Sequence, residues 1–294
     1  MIDTRRNPRF IITRKINWLL TRFPFFDSVG WQFSIAKLLL PKSSGAAIIK
    51  TINGYDIIVD PKHRPGFIDN DLYYLGGYEA GVLKVMKMIC ADDSVVLDIG
   101  ANIGALSLYA AKLAKNGKVL AFEPLPGIVD NLRENIKLNK LSNIEVHQVA
   151  LGPKAGTVSM RPDLTERGSS TLLTRQRADH TYGKPVKVNV RRLDDYTADL
   201  THVDLIKLDV EGYELGVLLG AAQTLKRFHP PMILEYDPKS PLKSKLDALL
   251  AKLDYDIYTL SMGKHYRSHL MPLTALNALP KNKLTTLILL PKHA

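Results

Sequence analysis

From Gly81 onward the chain alternates short apolar runs with stretches of helical spacing. Val95–Ile99, Val119–Phe122, Ile144–Val149, Leu205–Val210 and Met232–Leu234 have strand length and little polar interruption. Leu106–Ala114 and the stretch from Ile128 to Leu138 carry apolar residues three and four apart, as an amphipathic helix does. Apolar runs without alternation suit strands buried on both faces, so the pattern predicts an α/β fold with a parallel sheet covered by helices on both sides. Tyr255–Leu260 and Thr286–Leu290 read as two late strands with no strong helical pattern between them. Val186, Val188 and Val190 alternate with polar residues and predict an added strand inside a long connection over 155–203. Ahead of the alternating region, Ile48, Ile49 and Ile52, then Tyr55, Ile57 and Val59, flank Asn53-Gly54, a hairpin signal.

Residues 1–45 differ from the rest. Phe10-Ile11-Ile12, Trp18-Leu19-Leu20 and Phe23, Phe25 and Phe26 are interleaved with eight Lys/Arg against two acids, Asp3 and Asp27. This predicts two short helices split near Pro24, with Asp27 or Ser28 placed to cap the second. Such a pair fits a helical cover packed on the core or on a second subunit. The basic and aromatic mixture also fits peripheral docking on an anionic membrane. The chain therefore divides into a helical extension (1–45), a β-hairpin with a lid-like connection (46–78) and an α/β domain (79–294).

Composition narrows the setting. Apolar residues make up 46% and charged residues 23% of the 294 residues, the balance of an ordinary globular protein. The one cysteine, Cys90, excludes an intrachain disulfide framework and a cysteine zinc cluster, and with them favours a reducing compartment, the cytoplasm or the inner membrane surface. No apolar run reaches membrane-spanning length, and Arg14 and Lys15 interrupt any signal-peptide core. A net charge of +11 favours acidic partners: nucleic acid, phosphorylated sugars or anionic lipid.

The first alternating strand carries the most informative motif, Val95-Val-Leu-Asp98-Ile-Gly100-Ala101-Asn102-Ile-Gly104. A strand ends in a carboxylate, and a glycine turn opens a helix. Gly100 can adopt positive φ, and Gly104 would let a ligand approach the helix N-terminus. Such a turn serves a dinucleotide or S-adenosylmethionine. Asn102 stands where the dinucleotide fingerprint G-x-G-x-x-G needs its second glycine, which disfavours a nicotinamide dehydrogenase. The second strand ends at Phe122-Glu123-Pro124, an acid about 20 residues beyond the turn, positioned to accept hydrogen bonds from ribose hydroxyls.

With these motifs in this order, the sequence resembles the FkbM family of class I S-adenosylmethionine-dependent methyltransferases. The matching pieces are Asp98–Gly104, Phe122–Pro124, Asn135 with Asn139, Val149–Gly152, Ile206-Lys-Leu-Asp-Val-Glu-Gly-Tyr-Glu214 and Ile233-Leu-Glu235. The resemblance implies a Rossmann-like seven-stranded sheet with an antiparallel last strand, and usually O-methylation of a small molecule or sugar. It implies that Asp98 and Gly100 face the methionine part of the cofactor. Ala101, Asn102 and Gly104 line the same turn, Glu123 holds the ribose, and Val149 and Ala150 border the adenine.

Lys207 and Asp209 share parity on the fourth strand and leave the same face. A lysine in a buried parallel strand requires a partner or a function. Glu235 ends the fifth strand at the same edge. Three readings stay open: Asp209 and Glu235 bind a divalent cation such as Mg²⁺ that polarises the acceptor hydroxyl; Asp209 and Glu211 position substrate or the cofactor's ammonium without metal; or Glu211, Gly212, Tyr213 and Glu214 only cap the next helix. A base, where one is needed, is Lys207 or His180. Arg161, Arg167, Arg175 and Arg177 in the long connection can clamp an anionic acceptor or form a solvated face. Tyr73, Tyr74, Tyr78 and Glu79 are placed to close over the site and stack on a sugar. The rival functions are an RNA ribose 2′-O-methyltransferase and a non-catalytic S-adenosylmethionine-binding module.

Overall fold

The computed structural model describes residues 1–20, 29–63, 67–164, 171–172, 181–261, 268–280 and 284–292. The chain opens with β1 (Ile2–Asp3), α1 (Pro8–Leu20), α2 (Val29–Leu39), β2 (Ala47–Lys50), β3 (Asp56–Val59) and α3 (Phe67–Asn70), which continues as a π-helical turn over Asp71–Leu75. There follow α4 (Ala80–Ile89), β4 (Val95–Ile99), α5 (Ala105–Leu113), β5 (Lys118–Phe122), α6 (Pro126–Leu138) and β6 (Ile144–His147). The long connection holds β7 (Ala150–Leu151), β8 (Gly156–Arg161), β9 (Thr171–Leu172), β10 (Val186–Arg191) and α7 (Asp194–Thr197). The chain continues through β11 (Leu205–Leu208), α8 (Glu214–Gly220), α9 (Ala222–Phe228), β12 (Met232–Tyr236), α10 (Lys243–Leu250), β13 (Tyr255–Leu260), β14 (Leu270–Pro272) and β15 (Thr285–Pro291).

The central sheet has the order β14-β13-β15-β12-β11-β4-β5-β6. Strands β12, β11, β4, β5 and β6 are mutually parallel, and β15 runs antiparallel between β12 and β13. This is the implied seven-stranded sheet with its antiparallel last strand, extended by the short edge strand β14 to eight. Two strands are shorter than the apolar runs suggest. The third ends at His147, because Ala150–Leu151 leaves to pair with β10 in a second sheet of order β7-β10-β8-β9. The fourth ends at Leu208, where the chain turns through Glu211 and Gly212, both at positive φ. The alternating valines of β10 thus build a separate sheet rather than widen the central one.

Strand parity divides the core. Leu97, Ile99, Leu120, Phe122, Ile206, Leu208, Leu234 and Tyr236 pack under α8, α9 and α10, whose Val217, Leu218, Leu225, Leu246 and Leu250 are buried with them. Val96, Val119, Leu205, Ile233 and Ile288 point the other way, against Val82, Val85 and Met86 of α4 and Leu106, Ala110 and Ala111 of α5. Strands β4, β5, β11 and β12 are buried on both faces, which explains their uninterrupted apolar runs.

The hairpin β2–β3 forms about the Asn53-Gly54 turn and takes β1 as a parallel third strand. The outer edge of β3 is met by two side chains at the end of α6. Asn135 accepts the Ile58 N–H at 2.8 Å and donates to the Ile103 carbonyl at 2.9 Å. Asn139 accepts the Asp56 N–H and donates back to the Asp56 carbonyl. These amides supply hydrogen bonds that a fourth strand would otherwise make.

Candidate active site

The candidate residues gather at the carboxyl edge of the central sheet, where open α/β sheets bind ligands. Register places Lys207 of β11 directly beside Asp98 of β4, on the face covered by α4 and α5. Both side chains are almost fully buried. The Lys207 ammonium lies 3.3 Å from Asp98 and 3.8 Å from Asp209, and donates to the Gly100 carbonyl at 2.9 Å. Burial alone would push its pKa down, but Asp98, Asp209 and Glu79 outweigh it and hold the pKa above the usual lysine value. Through these contacts Lys207 ties the first strand turn to the fourth-strand turn. Ser107, one turn into α5, donates to the other Asp98 oxygen at 2.5 Å.

Gly100 has φ 77°, and a Cβ there would come within 1.8 Å of the Asp209 carbonyl oxygen. The glycine is thus required by conformation and by the close crossing of the two turns. Asn102 also takes a left-handed conformation (φ 51°), and Ala101 is buried. Gly104 is left-handed too. It sits at φ 91°, and a Cβ there would lie 2.4 Å from the Leu132 side chain of α6. The left-handed φ alone already favours glycine at this position.

Glu123 follows β5 and is buried. Its carboxylate accepts the N–H groups of Asn102 at 3.2 Å and Leu125 at 3.0 Å. Burial outweighs these bonds and raises its pKa to about 7. Phe122 stacks on His147 at 4.9 Å, and Tyr196 closes on both rings. The sequence reading missed this aromatic group beside Glu123, although a histidine ending the third strand was a usable signal. Val149 is buried in the core and Ala150 pairs with Val190, so at this turn backbone and the exposed Gln148 face outward.

The half-buried carboxylates of Asp209, Glu211 and Glu235 come together, with oxygen atoms within 4.8 Å of one another. Glu214, the first residue of α8, is buried and accepts the Gly212 N–H at 2.8 Å, while Glu211 joins the acidic group. His180 lies outside the described residues, as do Arg167, Arg175 and Arg177. Tyr73 and Tyr74 do not offer faces to a sugar. Both are buried, Tyr73 edge-on to Phe10 and donating to the Pro41 carbonyl, Tyr74 beside Phe33. Glu79, at φ 48° before α4, is the part of that segment whose charge reaches Lys207.

Residues 98–257, which contain every one of these carboxylates except Glu79, match the methyltransferase FkbM domain. The chain belongs to the FkbM methyltransferase family. Methyltransferase sdnD of Sordaria araneosa is 34% identical over 190 residues, which span 55% of this chain and 73% of that protein. The 2-O-methyltransferase NoeI of Sinorhizobium fredii is 29% identical over 185 residues, 56% of this chain and 75% of NoeI. The hexuronic acid methyltransferase AglP of Haloferax volcanii is 27% identical over 194 residues, 60% of this chain and 74% of AglP. The FkbM match begins at Asp98 and leaves residues 1–97 outside it.

Proposed function

We propose that this FkbM-family protein transfers a methyl group from S-adenosylmethionine to a hydroxyl of a small-molecule or sugar acceptor. The observation that carries this reading is that two groups of carboxylates share one sheet edge. Asp98 and Glu123 flank the glycine turn, and Asp209, Glu211 and Glu235 stand beside it. Names of relatives such as 2-O-methyltransferase NoeI and hexuronic acid methyltransferase AglP support a sugar hydroxyl as the acceptor.

The first group fits the cofactor by donor chemistry. Its ammonium and ribose diol are hydrogen-bond donors, and the turn offers acceptors: Glu123, and the buried Asp98 oxygen that faces Lys207 without a closer hydrogen bond. Bound there, S-adenosylmethionine supplies a methyl group already activated by its sulfonium. Glu123 would hold the ribose hydroxyls, Asp98 would face the methionine end, and the turn at Val149–Ala150 would border the base. Asp209 and Glu211 would accept a hydrogen bond from the acceptor hydroxyl, hold its oxygen in line and take up its proton as the O–C bond forms and the methyl–sulfur bond breaks, leaving S-adenosylhomocysteine. Positioning of this kind removes much of a bimolecular barrier.

A second reading is favoured by the convergence of Asp209, Glu211 and Glu235. Their hard oxygen donors suit Mg²⁺, which would lower the pKa of a coordinated hydroxyl. Titration calorimetry with S-adenosylhomocysteine, followed by methyl transfer to uronic acids and neutral sugars with and without chelator, tests both. Saturable binding lost in Asp98→Ala is expected. Absence of binding overturns the proposal, and full turnover under chelator removes the metal.

A further inference from the structure

We propose that α1 and α2 seat this protein on an anionic lipid surface. On α1 the side turned toward the body carries Phe10, Thr13, Arg14 and Asn17, all buried. The side turned outward carries Ile11, Ile12, Trp18 and Leu19, with Ile12 55% and Trp18 51% exposed. On α2, Trp31, Leu38 and Leu39 face outward, Leu38 at 85% exposure, while Gln32 and Ala36 are buried. A helix that merely covers a water-soluble core puts its apolar stripe inward. Here Thr13, Arg14, Asn17 and Gln32 are buried beside Phe10 and Ala36, while several large apolar side chains point out on two helices that pack together.

The surroundings select the partner. Residues 1–45 hold eight Lys/Arg against two acids, and Asp3 is already paired with Arg5 at 2.6 Å. Arg6, Arg9, Lys15, Lys37 and Lys42 lie on or beside the two helices and are exposed. A second copy docking symmetrically on this face would bring the same positive charge against itself. Anionic headgroups would complement it, with the aliphatic and indole side chains entering the acyl boundary. Among the described residues no helix is long and apolar enough to cross a membrane, so the contact is interfacial. The inward side of the pair packs on the segment that leads into the site: Phe10 meets Tyr73 and Phe33 meets Tyr74, shortly before Glu79.

The chain has two tryptophans, Trp18 and Trp31, so intrinsic tryptophan emission reports this face alone. The test is titration of the full chain with phosphatidylglycerol–phosphatidylcholine vesicles and with phosphatidylcholine vesicles, followed by emission and co-sedimentation. The expected result is a blue shift with the anionic vesicles only, quenching by brominated acyl chains, and release at about 0.5 M salt. Ile12→Asp and Leu38→Asp, both at exposed positions, are expected to weaken partitioning at least about tenfold each while leaving S-adenosylhomocysteine binding unchanged. No shift with anionic vesicles overturns the proposal. So does a blue shift without lipid that grows with protein concentration, which would assign the face to a second copy.

Discussion

Glu123 illustrates how one buried carboxyl couples folding, pH and ligand. Its pKa in the fold is about 7, against an ordinary value of 4.5. Between those two values the folded chain keeps a proton that the unfolded chain has released. Raising pH through this window therefore removes stability, on the order of 3 kcal/mol, and above it the contribution is constant. Urea unfolding at about pH 5 and about pH 8 measures this, and Glu123→Gln should flatten the difference. In the proposed role of Glu123, ribose hydroxyls would donate to its ionised form, so S-adenosylhomocysteine affinity should rise as pH approaches 7, with proton release seen by calorimetry in two buffers. A second test concerns the neighbouring pair. Lys207→Met leaves Asp98 charged and buried, and should cost about 3–5 kcal/mol of stability. The double variant with Asp98→Asn should cost less than the two single changes together, because each removes the other's burden.

At the scale of elements, the Asn135–Asn139 clip sets a sharper expectation than helix packing does. Asn135→Ala would leave the Ile58 N–H and Ile103 carbonyl without their partner, a loss of about 1–3 kcal/mol for buried groups. Hydrogen exchange should speed at Asp56 and Ile58 before it does in β4 or β11. The clip also marks the limit of what the chain spells out locally. Asn135 and Asn139 stood out as family residues, but their partners lie 77 and 83 positions away, and no local pattern names them. Local signals carried the strands that bury both faces, the Asn53-Gly54 hairpin and the Asp98–Gly104 turn, because apolar runs and glycine turns are written in adjacent residues. Gly104 was legible as a glycine position, and its φ of 91° supplies the physical reason. Glu211 and Glu235 meet through a left-handed turn and strand order, neither visible before the sheet is assembled. The third and fourth strands end earlier than their patterns suggest for the same reason: the chain leaves for another sheet or a turn although Val149 and Val210 carry the apolar pattern on.

On the scale of the whole molecule, the N-terminal extension and the cofactor turn belong to one core. Phe10, Ala36 and Leu40 of the extension are buried with Ile49 and Ile57 of the hairpin, Leu72 and Tyr73 of the π-helical turn, and Ile103, Ala105 and Leu108 from the glycine turn and α5. Backbone pairing continues the join: β1 lies along β2, and Arg5 reaches Asp56 at 3.0 Å. A chain lacking residues 1–45 would expose the inner half of this cluster, and Ile103 sits between Asn102 and Gly104 in the proposed cofactor turn. Loosening the extension should therefore reach the site. Phe10→Ala, far from the carboxylates in sequence, should lower stability by about 3–5 kcal/mol. The full chain should unfold in a single calorimetric transition. The truncated chain should melt lower and bind S-adenosylhomocysteine more weakly, with the loss traced by hydrogen exchange to the amides of 100–108. An extension that were only a detachable cover would predict the reverse, with melting temperature and affinity unchanged on its removal. The shared core makes that outcome incompatible with the packing of Phe10 and Ile103 in one cluster.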